Sequence, residues 1–180
     1  MKADILSLAL SVGFTNAEYI DGADVVCDPV FRDMCVVNSC GKYGKCYMCP
    51  DDIGDIHALI EKIKKYPRAL IYQSIHTLED SFDFEGMQAG GKLHQKMSYA
   101  LEDKLREAGL VNYLHLSKGG CGLCDVCAKV DGFPCRHPDY ALSSVEAYGI
   151  NVSATVKNTS MKYINGVNTV TYFGIVFVEE

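Results

Sequence analysis

Four cysteines between residues 121 and 135 have the spacing with the most definite chemical meaning in the chain. Cys121, Cys124 and Cys127 are each separated by two residues, and Cys135 follows between Pro134 and Arg136. Thiolates spaced in this way reach three corners of one iron–sulfur cube from a single loop, with a fourth ligand arriving from downstream. Gly119, Gly120 and Gly122 give that loop the backbone freedom to wrap. Zinc also uses Cys-x2-Cys, but a structural zinc closes with a second pair across a longer knuckle. The third cysteine so soon after the second therefore favours a cube over a tetrahedron. Arg136 and His137 read in two ways: as charges that offset a thiolate-bound cluster and raise its potential, or as a surface pair before the turn at Pro138.

The other five cysteines are Cys27, Cys35, Cys40, Cys46 and Cys49. Gly41, Gly44 and Pro50 make the stretch from Cys35 to Pro50 a loop, and a Cys-Pro ending is also found in ferredoxin cluster loops. Loops rarely carry several free thiols without a reason, so Cys35, Cys40 and Cys49 read as metal ligands. Cys46, three residues before Cys49, is either a fourth ligand or a near neighbour. Cys27, in the apolar run Val25-Val26-Cys27, reads as a small buried hydrophobe.

The 180 residues suit one domain, and 48% apolar with 22% charged residues is globular composition. A net charge of −6 without a Lys/Arg run argues against a nucleic-acid partner. The apolar stretch from Ile5 to Phe14 is too short to span a bilayer, and its flanks do not fit a signal peptide. The expectation is a cytoplasmic protein with no membrane partner. Nine cysteines in a reducing compartment are metal ligands or redox groups rather than a disulfide framework.

The elements that must position these thiols follow from periodicity. Residues 2–12 have helical spacing through Ile5, Leu8, Ala9 and Val12, ended by Gly13. Residues 17–20 and 24–26 suit short strands. Residues 55–66 form a helix stopped by Pro67, and 68–76 a strand. An acidic entry around Asp80 and Asp83 opens a long helix running to about Ala108, with Gly109 as its cap. Residues 112–116 are a strand leading into the central cysteine loop. Residues 143–148 read as a short helical segment, with Ser143 and Glu146 as a capping box. Residues 150–156 alternate as a strand, and 169–178 is strongly β. His94 reads as solvated; His57 and His115 are ambiguous. His76 with Glu79, Asp80 and Asp83 is read as helix-entry chemistry rather than a metal site. Gly90-Gly91-Lys92 lacks the rest of a phosphate loop.

These elements predict an α+β domain spanning 1–180, with a single mixed sheet of about four strands and helices mainly on one face. The cysteine loops at 35–50 and 119–138 should meet at one end of the sheet. Strands 68–76 and 112–116 should run parallel through the long helix.

Several segments together resemble a family of unknown function described as predicted metal-binding proteins. They are Cys35…Cys40-x2-Tyr43-Gly-Lys45…Cys49-Pro50, Leu78-Glu-Asp-Ser-Phe-Asp-x-Glu-Gly-Met87, the central loop from Gly120 to Pro138, and Ser144-x-Glu146-Ala-Tyr-Gly-Ile150-x-Val152. The resemblance covers nearly all of the chain after about residue 25. It implies metal ligation by Cys35, Cys40, Cys49, Cys121, Cys124, Cys127 and Cys135. The family's element is Tyr-Gly-x-x-Trp-x-Cys-Pro-Pro; here Cys46 and Tyr47 replace the usual residues and Asp51 replaces the second proline.

The reading that results is a cytosolic protein holding one or two [4Fe–4S] clusters and exchanging electrons with a redox partner protein. A second is an enzyme in which three-cysteine ligation at Cys35, Cys40 and Cys49 leaves one iron open to a small-molecule substrate. A third is a zinc-stabilised structural or adaptor module.

Overall fold

The computed structural model describes residues 4–179. One five-stranded mixed sheet has the order β1-β2-β5-β3-β4. Its strands are β1 (Asn16–Asp21), β2 (Arg68–Thr77), β3 (Tyr113–Ser117), β4 (Ser143–Ser144) and β5 (Thr169–Val178). The strand beyond the expected four is β4, a two-residue pairing parallel to β3. β5, last in sequence, lies in the middle. It pairs antiparallel with β2 along ten residue pairs and with β3 along four. β2 and β3 therefore run parallel, as expected, but β5 separates them. Ala69, Leu70, Ile71 and Tyr72 are all buried, since β2 is covered on both faces.

The helices are α1 (Ile5–Ser11), α2 (Val30–Val36), α3 (Ile56–Ile63), α4 (Phe84–Glu107) and α5 (Val152–Thr155). The first three residues of the expected N-terminal helix lie outside or at the edge of the described chain, and Asp4 caps α1 by accepting from Leu6 N. Asp55 caps α3, accepting from the amides of His57 and Ala58 at 3.0 Å. Asp83 caps α4, accepting from Gly86 N at 2.7 Å. α4, with 24 residues, packs with α1 against one face through Met97, Leu101 and Leu105, which puts most of the helical mass there. α3 and the segment around α5 cover the other face through Leu59, Ile63 and Val156.

Three local expectations are corrected. Residues 24–26 are not a strand: a 3-10 turn at Gly22–Asp24 precedes an isolated bridge between Cys27 and Ile150. Residues 150–156 do not extend. Asn151 accepts from Ala154 N at 3.0 Å and starts α5, while Thr155 is fixed by accepting from Val26 N. Val152, Thr155 and Val156 fit helical spacing as well as alternation, and the cap decides. Residues 143–148 divide into β4 and a 3-10 turn, where Ser144, not Ser143, accepts from Ala147 N.

His94 is not solvated but fully buried. It lies on the sheet-facing stripe of α4 with Ser98 and Glu102, and this stripe carries a polar network. Glu102 accepts from Arg106, Tyr113 and His115 at 2.7–2.9 Å. His115 Nε2 meets Tyr72 Oη at 2.7 Å, Tyr72 donates to Ser98, and Ser98 pairs with Ser117 at 2.7 Å. His94 Nδ1 meets Ser74 Oγ at 2.7 Å. Such groups are tolerated in a core because they satisfy one another; in this network His94 Nε2 is the atom left without a partner.

Burial, then the nearby Lys118 charge, pushes the His94 imidazole down to about 3. The unfolded imidazole takes its proton near pH 6.5. The unfolded state thus binds the extra proton between those values, so stability falls as pH drops through that window. Urea titrations at pH 7 and pH 4.5 should reveal a loss of up to about 1.4 kcal/mol per pH unit from this group. His94→Gln should have a shallower decline; equal declines would show that His94 does not set it.

Candidate metal centre

The N-terminal cysteine loop begins at the end of α2, which delivers Cys35 in its last turn. Asn38 adopts a left-handed φ of 57° and accepts from Tyr43 N at 3.0 Å. Cys49 N donates to Cys46 O at 3.1 Å, closing the turn that carries both thiols. The central loop leaves the end of β3 and is fastened by two residues one turn apart on α4. Gln95 donates to the carbonyls of Gly120 and Cys121. Tyr99 donates to Cys121 O at 2.8 Å and lies 3.3 Å from its thiol. Across the gap, Tyr47 donates to Phe133 O at 2.8 Å, and Lys129 pairs with Asp52. The two loops thus meet at one end of the sheet, as the sequence predicted.

The nine cysteines are free thiols and divide into three sets. Cys121, Cys124, Cys127 and Cys135 line one tight cavity of about 30 Å³ together with Cys46. Cys35, Cys40 and Cys49 line an adjoining cleft of about 270 Å³. Cys27 packs against the core away from both, and burial pushes its thiol up to about 11. Cys46, whose side could not be read from spacing, faces the central group. The neighbouring thiols of Cys121 and then Cys49 lower the pKa of its thiol, and theirs are raised in turn.

Arg136 and His137 line the central cavity, and the Arg136 guanidinium donates to Val126 O at 3.0 Å. The cleft is lined by residues that the sequence did not single out for chemistry: Lys118, Ser144 and Tyr172, with Glu146 facing it rather than capping a helix. The Lys118 ammonium lies 5.0 Å over the Tyr172 ring. The double glycine of α4 makes the space. A Cβ on Gly91 would fall 2.6 Å from Lys118 Nζ, and one on Gly90 would fall 2.8 Å from the His76 ring. Burial lowers the Lys118 pKa and raises that of Glu146. Only the i, i+4 spacing of Gln95 and Tyr99 could have hinted at the residues that hold the central loop.

A single tetrahedral zinc draws four thiolates to about 2.3 Å from one point. Among the described residues, no group of three or more His, Cys, Asp or Glu side chains is placed to hold a metal ion of any kind. The thiols line the walls of two adjoining spaces, and sulfur donors suit soft metals. Among the described residues, no helix is long and apolar enough to cross a membrane.

The sequence profile of a family described as "Predicted metal-binding protein (DUF2284)" matches residues 18–178. No curated protein matches the chain, and no solved structure does.

Proposed function

We propose that the chain, which belongs to this family of predicted metal-binding proteins, carries two iron–sulfur clusters of the [4Fe–4S] type and exchanges electrons with a redox partner protein. The observation that carries this reading is the division of eight loop thiols between two adjoining spaces. Cys121, Cys124, Cys127 and Cys135 would hold the central cluster, and Cys35, Cys40 and Cys49 the N-terminal one. Such clusters, when bound, accept and release single electrons. Arg136 and His137 supply positive charge and polar hydrogens beside the thiolates, and Tyr99 orients Cys121. The proximity of the two thiol groups supports transfer between the sites. Exposed Val126, Val130 and Phe133 beside the central loop support direct contact with the partner. Nine free thiols support a cytoplasmic, reducing setting.

A second reading, an enzyme at the N-terminal site, is favoured by one specific observation. Cys46 faces the central cavity, which leaves three cysteines at the site that opens into the larger cleft. There, Lys118 and Glu146 bring a cation and an acid to the same space as the thiols.

Protein purified without oxygen should be brown, bleach with dithionite, and contain about eight iron and eight sulfide per chain. A colourless protein with stoichiometric zinc would overturn both readings and support a structural or adaptor module instead.

A further inference from the structure

We infer that the cleft beside Cys35, Cys40 and Cys49 binds a small monocarboxylate, its anionic group held by the Lys118 ammonium and the Glu146 carboxyl group. The inference deepens the enzyme reading of that site and rests on it for the role of the three cysteines.

Lys118 follows β3 directly and lines the cleft. The side chain is half-buried, and among the described residues no carboxylate forms an ion pair with it. Glu146 acts on its charge from within the cleft without reaching ion-pair distance, and a cation drawn partly out of water without a paired anion is costly. The fold nevertheless keeps room for it. Glycine inside a helix costs about 1 kcal/mol relative to alanine, yet α4 keeps Gly91 where a Cβ would fall between the ammonium and the Tyr172 ring. The Tyr172 ring beneath supplies a weak attraction, and an anionic guest would supply the strong one.

Glu146 is the one acid among the described residues that line the cleft. Burial raises its pKa and so favours the neutral carboxyl, while a hydrogen bond from Ser144 and the Lys118 charge act the other way. A neutral carboxyl offers an O–H donor to an anion, where a carboxylate would repel it. Charge then selects among oxyanions. One ammonium matches a monoanion, but a phosphate dianion would bring an excess negative charge next to three cysteine sulfurs. The volume of about 270 Å³ is just below the range of ligand pockets, about 300–1,000 Å³, so the occupant is small. Met34, Pro50 and Ala147 give its carbon chain an apolar wall.

Equilibrium dialysis with radiolabelled acetate, pyruvate and inorganic phosphate tests this on anaerobically purified protein and on the same protein after chelation. At least one carboxylate should bind saturably at one site, about tenfold or more tighter than phosphate. A charged hydrogen bond of about 1.5–3 kcal/mol predicts weakening of about tenfold to a hundredfold in Lys118→Met. Glu146→Ala should also weaken binding, whereas Glu146→Gln, which keeps a donor, should stay within about threefold of wild type. The inference is overturned by no saturable carboxylate binding to either form, by tighter binding of phosphate, or by unchanged binding in Lys118→Met. Iron and sulfide measured on the same samples report separately on the clusters. Carboxylate binding to protein that carries no sulfide as purified anaerobically, before any chelation, would uphold the cleft and defeat the cluster reading. Full iron and sulfide without carboxylate binding would do the reverse.

Discussion

Cys124→Ser should lower the iron and sulfide content of the anaerobically purified protein by about half, leaving the N-terminal cluster in place. Cys124 lines the tight central cavity with Cys121, Cys127 and Cys135, and the loop that bears them is fixed to α4 through Gln95 and Tyr99. A serine hydroxyl is a hard, weakly acidic ligand and a poor substitute for a thiolate on soft iron. Cys46→Ala is the informative contrast. Four other thiols surround the central cavity, and the cleft group of Cys35, Cys40 and Cys49 does not include Cys46. The alanine variant should therefore retain both clusters. Full iron in Cys124→Ser would refute the central assignment. Loss of the N-terminal cluster in Cys46→Ala would make Cys46 its fourth ligand and close the site that the enzyme reading needs open.

The largest loss of stability from a single added methyl group is expected at Gly22. This residue follows β1 and donates its N–H to Pro67 O at 2.8 Å, where the chain passes from α3 into β2. A Cβ there would lie 1.9 Å from the carbonyl oxygen of Tyr66. The obstacle is backbone rather than a flexible side-chain end, so no rotamer change relieves it. Gly22→Ala should cost about 3 kcal/mol or more and lower Tm by roughly 6–12 °C. Gly109, past the end of α4 with a φ of 73° and open space around it, provides the comparison. Gly109→Ala should cost only about 1–2 kcal/mol, from conformation alone. Equal melting temperatures for the two variants would mean that the segment at Gly22 yields more easily than its hydrogen bonding suggests.

What could be read from the sequence was local. Asp55 before the spaced Ile56, Leu59, Ile60 and Ile63 specifies the start and inner face of α3, and Pro67 bars its continuation. The unbroken apolar run in β2 and the β-branched run in β5 fix those strands, because each pattern reflects burial that the residues need wherever the strands sit. Cysteine spacing likewise separated a central from an N-terminal group, since short loops can bring only near neighbours to one centre.

Tertiary structure decided what depends on partners distant in the chain. The side taken by Cys46 follows from the approach of the 121–135 loop, some seventy-five residues on, and nothing between Cys40 and Cys49 encodes it. His94, Ser98 and Glu102 look like a solvated face until Ser74, Tyr72 and His115 arrive to pair with them, since a polar side chain's burial is set by its partners. Residues 150–156 fit either period, and the Asn151 cap together with the Val26 contact of Thr155 selects the helix. The cleft itself is assembled from α2, the end of β3, β4 and β5. Lys118, Glu146 and Tyr172 become one site only because β5, the last strand made, inserts between β2 and β3. Short-range patterns carry hydrogen-bonding period and apolar demand, whereas the meeting of a cation, an acid and three thiols is a long-range contact that no window of sequence contains.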